Sequence, residues 1–145
     1  MGKYSPEGNQ PMFKFLTIEQ VIKLHNDLLA RTGGIVALTN SGMLEAAIAA
    51  AQSGYGDVYF HTDVFEMGAA YAFHIAKNHP FMEGNKRCGL SACLIFLDLN
   101  GYSIRPPDPK MLENAMVDIV DGILDKAGFA DLLRRHAVPV EEFAE

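Results

Sequence analysis

The stretch Asn85–Leu99 reads NKRCGLSACLIFLDL, and it decides the fold. Its second half, Leu94–Leu97, is apolar nearly all round, which is typical of a helix buried at the centre of a domain. The pair Asn100-Gly101 closes the helix, because Asn and Gly are common where a helix ends. This segment therefore predicts a central helix that other elements must cover.

Apolar stripes at helical spacing predict five further helices around this one. The first follows a capping box at Thr17–Gln20 and ends at Gly33-Gly34. The second covers about Ser41–Gln52, the third runs from Asp63 to the His79-Pro80 pair, the fifth includes Leu112–Ile123 after an Asp108 cap, and the sixth covers about Gly128–His136. A short strand pair is expected only around Val58–Phe60. The predicted fold class is all-α, a compact bundle of about six helices around a buried central helix.

Length and composition limit the class of protein. The chain has 145 residues, 49% of them hydrophobic, which predicts one domain with a sizeable core. Its net charge of −6 argues against broad nucleic-acid binding, and its apolar runs are too short for a membrane span. Residues 1–14 lack periodicity and are expected to be a flexible N-terminal extension, which leaves 15–145 as the helical domain.

The two cysteines give an expectation about the compartment. Cys88 and Cys93 lie five residues apart on the predicted central helix, so they point in different directions and cannot bridge each other. Free thiols are the simple interpretation, and they favour a reducing, cytoplasmic location.

The stretch His79–Arg87, HPFMEGNKR, precedes the central helix and carries the candidate site. Lys86 and Arg87 fall in the first helical turn, where the macrodipole is positive and backbone N–H groups are unpaired. Each cation there costs a few tenths of a kcal/mol or more, instead of the gain that an acid would give. A bound anion accounts for the mismatch, and a phosphate suits such a helix N-terminus.

Two residues of this stretch carry acid–base or metal chemistry, each with a structural alternative. His79 is held at a fixed exit from the third helix by Pro80 and could act as a general base, or simply end the helix. Glu83 could hold Mg²⁺ against phosphate oxygens, since hard cations take carboxylates. The alternative for Glu83 is a solvated acid that pairs with Lys86.

The remaining residues of the stretch shape the loop. Phe81 is expected to anchor it in the core, and Gly84 allows close backbone approach. Asn85 could cap the helix or donate to a phosphate, and Arg87 could be an ordinary surface cation. A base, a carboxylate, a Gly turn, an amide and two cations together match phosphoryl or nucleotidyl transfer, where positioning and charge neutralisation do most of the work.

These residues resemble the signature of the Fic/Doc family, which begins His-x-Phe-x-(Asp/Glu)-(Gly/Ala)-Asn and continues with Gly or Lys and then Arg. Six positions match: His79, Phe81, Glu83, Gly84, Asn85 and Arg87. Lys86 stands where most Fic enzymes have Gly, and Leu90 stands where they have a second Arg. Both are typical of the death-on-curing (Doc) toxin branch of type II toxin–antitoxin systems. The likeness extends over about Phe15–His136.

The resemblance implies a mechanism and partners. A Doc-type toxin uses ATP and Mg²⁺ to transfer a phosphate to a Thr or Ser hydroxyl of a target protein, elongation factor Tu, and so arrests translation. A Phd-type antitoxin folds a segment into a groove beside the active site. By the same resemblance, His79 is the base and Glu83 binds Mg²⁺. Gly84 and Asn85 shape the anion hole, while Lys86 and Arg87 hold phosphates.

Other functions stay open at this point. Pro80, Glu83 and Gly84 are closer to the Fic pattern, which implies transfer of AMP to a protein hydroxyl instead of phosphate. A catalytically silent module that only binds an antitoxin is a third hypothesis. A metal site built from His25, His61, His74 and His79 lacks the spacing of metal ligands.

Overall fold

The structure is a computed structural model that describes residues 13–55, 58–59 and 63–140. Six helices and four short strands make up this part of the chain. The helices are α1 (Ile18–Thr32), α2 (Ser41–Ala51), α3 (Val64–Asn78), α4 (Asn85–Leu99), α5 (Lys110–Val120) and α6 (Lys126–Arg135). The strands are β1 (Gly54–Tyr55), β2 (Val58–Tyr59), β3 (Tyr102–Ile104) and β4 (Ala137–Pro139). The prediction of an all-α bundle of six helices is confirmed.

The centre of the bundle is a pair of helices, α3 and α4. Helix α3 packs against α2, α4, α5 and α6, while α4 packs against α1, α3 and α5. A glycine allows the pair to approach closely, because a Cβ at Gly89 would lie 2.9 Å from the backbone oxygen of Ala72. The predicted central helix α4 therefore shares its place with α3.

The helix starts follow ordinary capping chemistry. Thr17 and Gln20 form the predicted capping box of α1, and Asp63 and Asp125 accept from backbone N–H groups at the starts of α3 and α6. Helix α5 differs from the prediction at both ends, since Pro109 and not Asp108 is its N-cap and the helix ends at Val120, before Ile123. The carboxylate of Asp108 still accepts from Lys110 N at 3.0 Å. Helix α6 begins two residues before the predicted Gly128, because Asp125 supplies its cap.

The strands form two antiparallel pairs. The β1–β2 pair joins Gly54 to Tyr59 and agrees with the strand pair expected around Val58, whereas Phe60 lies outside the described residues. The sequence did not predict the second pair, in which β3 and β4 are matched with Ser103 opposite Val138. Strands of three residues are too short to show an alternating pattern, and these two lie far apart along the chain.

The ends of the chain are described only in part. Residues 1–12 of the predicted extension and residues 141–145 lie outside the described residues. Lys14 pairs with the buried Asn100, whose side chain accepts from Lys14 N at 2.9 Å and donates to Lys14 O at 3.0 Å. Within the described parts of the chain, no helix combines the length and the apolar character needed to cross a bilayer.

Candidate active site

The candidate site lies on the connection between α3 and α4. His79 ends α3 in the left-handed conformation, with φ 55° and ψ 53°, and its backbone N–H donates to Ile75 O at 3.2 Å. Pro80 disfavours the right-handed helical conformation at His79, as the sequence predicted. Gly84, with φ 80°, then starts α4 without a side-chain cap. The left-handed cap leaves the imidazole of His79 on an exposed turn.

Asn85 closes the loop on itself. Its side-chain oxygen accepts from Phe81 N at 3.0 Å, and its amide nitrogen donates to Phe81 O at 2.8 Å. Both residues are buried, with 5% and 1% of their surface exposed. Phe81 is therefore the core anchor that the sequence predicted. The carboxamide of Asn85 fixes the loop, and a contact between Asn85 and a phosphate stays a prediction.

The α1–α2 connection pairs with the loop like a short strand. Thr39 donates to Pro80 O through its backbone N–H at 2.9 Å and through its hydroxyl at 3.0 Å. Met82 N donates to Ala37 O at 3.0 Å, and Leu38 forms a β-bridge with Phe81. No periodic pattern in the sequence predicts this pairing, since it depends on a single bridge. It holds the outer side of the loop in place.

Helix α1 supports the inner side of the loop. The buried ring of His25 stacks on Phe81, with ring centroids 3.7 Å apart, and its Nε2 lies 2.7 Å from Glu83 O. Beyond the end of α1, a Cβ at Gly34 would come within 2.8 Å of Glu83 Oε1, so the carboxylate rests directly against this glycine. The sequence placed neither residue in the site, although a histidine on an apolar helix face was a visible signal.

A polar cleft of about 330 Å³ brings the predicted residues together. Its lining includes all six predicted polar and glycine positions, together with Ala76 and Val120: His79, Glu83, Gly84, Asn85, Lys86 and Arg87. In the described residues, no acceptor bonds the backbone N–H groups of Asn85, Lys86 and Arg87, as expected for the first turn of a helix. The cleft therefore offers three N–H donors and two cations to an anion.

In the described residues, Glu83, Lys86 and Arg87 form no ion pairs. Ion pairs in the described residues join Lys23 to Asp27, and Arg134 to acids on α3 and α6. The Glu83–Lys86 pair, which was the structural alternative for Glu83, is therefore not formed. Arg87 Nη1 donates to the hydroxyl of Thr32, which directs the guanidinium toward the end of α1.

The residues fit a divalent ion completed by substrate. No three His, Cys, Asp or Glu side chains of the described segments cluster to form a complete metal site, and His61 of the four-histidine hypothesis lies outside these segments. Mg²⁺ usually takes one or two carboxylates plus substrate phosphates, so Glu83 beside the anion cleft supplies the expected donor set. Burial raises the pKa of the Cys88 thiol, on the first turn of α4, to about 12, so this thiol stays protonated near neutral pH.

Comparison with known proteins gives the family. The model of the Fic/DOC family matches residues 15–97, more than half of the chain. The chain belongs to the Fic/DOC family. It is 32% identical to the protein kinase doc of Escherichia phage P1, over 84% of this chain and 94% of that protein. It is also 32% identical to the toxin Doc of Mycolicibacterium smegmatis, over 50% of this chain and 55% of that protein. These relatives place it in the Doc branch, as Lys86 and Leu90 predicted.

This Doc-branch protein has a second, mainly apolar cleft of about 400 Å³ beside the first. It is lined by residues of α1, α4 and α5: Leu28, Lys86, Arg87, Leu90, Ser91, Glu113, Met116 and Val117. Ile123, beyond the end of α5, is 73% exposed, and Val120 at the C-terminal end of that helix is 41% exposed. The two clefts share Lys86 and Arg87, so the cations stand on the boundary between a polar and an apolar surface.

Proposed function

We propose that this protein is a Doc-type toxin that transfers the γ-phosphate of ATP to a Thr or Ser hydroxyl of a target protein. The observation that carries the proposal is the polar cleft, which gathers the free imidazole of His79, the carboxylate of Glu83 and the cations of Lys86 and Arg87 at one helix N-terminus. The relative from phage P1 is named a protein kinase, which supports phosphate transfer over other chemistries.

The side chains divide the reaction between them. His79 accepts the proton of the target hydroxyl as the hydroxyl oxygen bonds to the γ-phosphorus. The bond from that phosphorus to the β,γ-bridging oxygen breaks, and ADP leaves with the electron pair. Lys86, Arg87 and the N–H groups at the start of α4 balance the charge on the phosphate oxygens. No described residue bonds the imidazole of His79, so it is available as a base.

Glu83 is the residue proposed to hold Mg²⁺. Its carboxylate is partly buried, forms no ion pair with Lys86 and rests against Gly34 at the edge of the cleft. Mg²⁺ at this position would neutralise phosphate oxygens and orient them toward the attacking hydroxyl.

The proposed partners occupy different parts of the surface. The target protein, for which elongation factor Tu is the candidate, must bring its hydroxyl to the exposed side of His79, and this modification would arrest translation. A Phd-type antitoxin segment suits the apolar cleft, because Leu28, Leu90 and Met116 form its apolar part. Replacing the half-exposed Val117 by Ser, which removes apolar surface without adding a charge beside Lys86 and Arg87, should weaken antitoxin binding and leave phosphate transfer unchanged.

Labelled ATP tests the reaction directly. The protein is incubated with elongation factor Tu and ATP labelled at either the γ- or the α-phosphate, and mass spectrometry identifies the modified residue. Transfer of the γ-label without the α-label supports the proposal. Replacing His79 by Ala should lower transfer by about 10²–10⁴-fold if it is the base. Unchanged transfer in that variant would refute the assigned role.

Transfer of AMP is the second candidate, favoured by Pro80, Glu83 and Gly84 of the loop. It predicts label from the α position and an AMP mass increment on the target. Lys86 is the residue proposed to separate the two reactions, so Lys86→Gly should move activity toward AMP transfer. Lys23→Ala, which removes an exposed cation paired with Asp27 on α1, is the matched control and should change neither product.

A further inference from the structure

The side chain of His25, on α1, contacts both ends of the segment Phe81–Glu83. It is fully buried on α1, with 0% of its surface exposed. Its ring is nearly parallel to that of Phe81, at 7° and 3.7 Å between centroids, and its Nε2 lies 2.7 Å from the backbone oxygen of Glu83. One side chain of α1 therefore fixes a ring and a carbonyl on either side of Met82.

The hydrogen bond sets the state of the imidazole. A carbonyl oxygen only accepts, so His25 Nε2 must carry the proton and donate to Glu83. In the neutral ring Nδ1 is then an acceptor, and within the described residues this buried atom has no partner. An unpaired buried nitrogen destabilises a fold, whereas Phe or Leu would fill the same space without that cost. Packing alone does not explain a histidine here.

The ring also adjoins the start of α4. A Cβ at Gly84 would lie 3.4 Å from His25 Nε2 and 3.1 Å from a methyl group of Leu29. His25 thus contacts the backbone just before the free N–H groups of Asn85, Lys86 and Arg87. The carbonyl that it holds belongs to the residue whose carboxylate faces the cleft. A shift of this peptide would move both the carboxylate and the N–H donors.

We propose that His25 is a positioning residue of the phosphate and metal site. Its Nε2–H group holds the Glu83 carbonyl, and this bond sets the Glu83 carboxylate and the start of α4 for ATP with Mg²⁺. The inference rests on the proposed function for its ligand. The claim that His25 holds the loop rests on the contacts alone. Nucleotide binding and loop holding can therefore be tested separately.

The test compares His25→Phe, which keeps a stacking ring without the donor, with His25→Gln, whose amide nitrogen can reach the position of Nε2. Val21→Ala, one turn earlier on the buried face of α1, controls for lost stability. Calorimetry with ATP and Mg²⁺ should give a dissociation constant about 10-fold higher for His25→Phe. The dissociation constants of His25→Gln and Val21→Ala should stay within about 3-fold of that of the unmodified protein. A change of this size is smaller than the loss of one hydrogen bond would produce.

A second measurement does not depend on nucleotide. The amides of Phe81 and Met82 are bonded to Asn85 and Ala37, so their hydrogen exchange reports whether the loop is held. In His25→Phe their exchange should be about 10-fold faster than in Val21→Ala at matched global stability, again the size of one lost hydrogen bond. If ATP with Mg²⁺ does not bind the unmodified protein, the proposed function fails, and this exchange still decides whether His25 positions the loop.

Equal binding and equal exchange in His25→Phe and the unmodified protein would overturn the proposal. If His25→Phe does not fold, His25→Gln is compared with His25→Met, which has a similar length and no donor. Tighter binding of ATP with Mg²⁺ by the Gln variant, by about 3- to 10-fold, then supports the proposal. Equal binding by these two variants refutes it.

Discussion

Replacing Gly34 by Ala is expected to damage the site while leaving the fold intact. Gly34 follows α1 with φ 122°, and a Cβ built there would lie 2.8 Å from Glu83 Oε1. Ordinary van der Waals contact begins at 3.4 Å, so the carboxylate would have to move by 0.6 Å, the difference between these two distances. Because Oε1 is the end of a flexible side chain, the carboxylate will move and the backbone will stay.

Gly33 provides a matched control. It also has a positive φ, 85°, but a Cβ there would meet nothing within 4 Å. An alanine at either position is strained by about 1–3 kcal/mol, so both variants should lose a similar amount of stability. Only Gly34→Ala displaces Glu83. The comparison therefore separates backbone strain from damage to the cleft.

The size of the effect follows from the displacement. Catalytic groups must be held within about 0.5 Å of the productive geometry, and a misplacement of about 1 Å can cost about 10²-fold in rate. A shift of 0.6 Å at Glu83 should therefore lower kcat/KM for ATP by about 10- to 100-fold. If Glu83 holds Mg²⁺, higher Mg²⁺ should restore part of this loss, since the defect lies in metal binding.

The assay is phosphate transfer at a series of Mg²⁺ concentrations, with the melting temperature measured for each variant. We expect Gly33→Ala to match the unmodified protein in its Mg²⁺ dependence and Gly34→Ala to need more Mg²⁺ for half-maximal rate. Equal Mg²⁺ dependence in the two variants, at equal stability, would show that the contact of Gly34 with Glu83 does not matter to the reaction.

Two further predictions concern stability. Burial raises the pKa of Cys88 from 9.0 to about 12 and raises the pKa of Cys93 as well. As the pH rises, the unfolded chain therefore loses these protons before the folded protein does. The stability that the two buried thiols contribute below pH 9 is lost above it. The free energy of unfolding should fall by about 3 kcal/mol from pH 8 to pH 10 in urea titrations, and a Cys88→Ala/Cys93→Ala variant should show a much smaller fall. Asn85→Ala removes both hydrogen bonds to Phe81 and should lower the free energy of unfolding by about 2–4 kcal/mol in the same titrations. Asn85→Asp, which keeps the acceptor, is the comparison. A loss below about 0.5 kcal/mol in Asn85→Ala would contradict the loop-holding role.

The sequence could predict those features that depend on neighbouring residues. The capping box at Thr17 and the break of α3 before Pro80 are local, and both are present in the structure. The buried face of α4 followed from its composition. The two cations at the start of α4 form an electrostatic mismatch that the sequence alone shows.

Contacts between distant segments could not be predicted in this way. The pairing of Leu38 with Phe81 and the β3–β4 pair each join segments that are separated by two helices in the sequence. Both pairings therefore depend on how those helices pack. The sequence predicts that α1 ends at Gly33-Gly34, but the approach of Gly34 to Glu83 depends on the packing of α1 against α4. The sequence left Asn85 to cap α4 or to donate to a phosphate, but Gly84 is the N-cap and the carboxamide of Asn85 bonds the backbone of Phe81. That contact depends on where the loop brings Phe81.

Because the two clefts share lining residues, a peptide bound in the apolar cleft would affect phosphate binding in the polar cleft. Lys86 and Arg87 line both the polar cleft with His79 and Glu83 and the apolar cleft between α1, α4 and α5. A peptide segment seated in the apolar cleft would therefore contact the two cations that the phosphates require. An acidic residue on that segment would pair with them and remove the charge on which phosphate binding depends. Such a segment could inhibit transfer without covering His79, and by linkage bound phosphate would weaken its affinity by the same factor. If the polar cleft binds phosphate as proposed, the position of the cations at this boundary, and not only their charge, would couple the two surfaces.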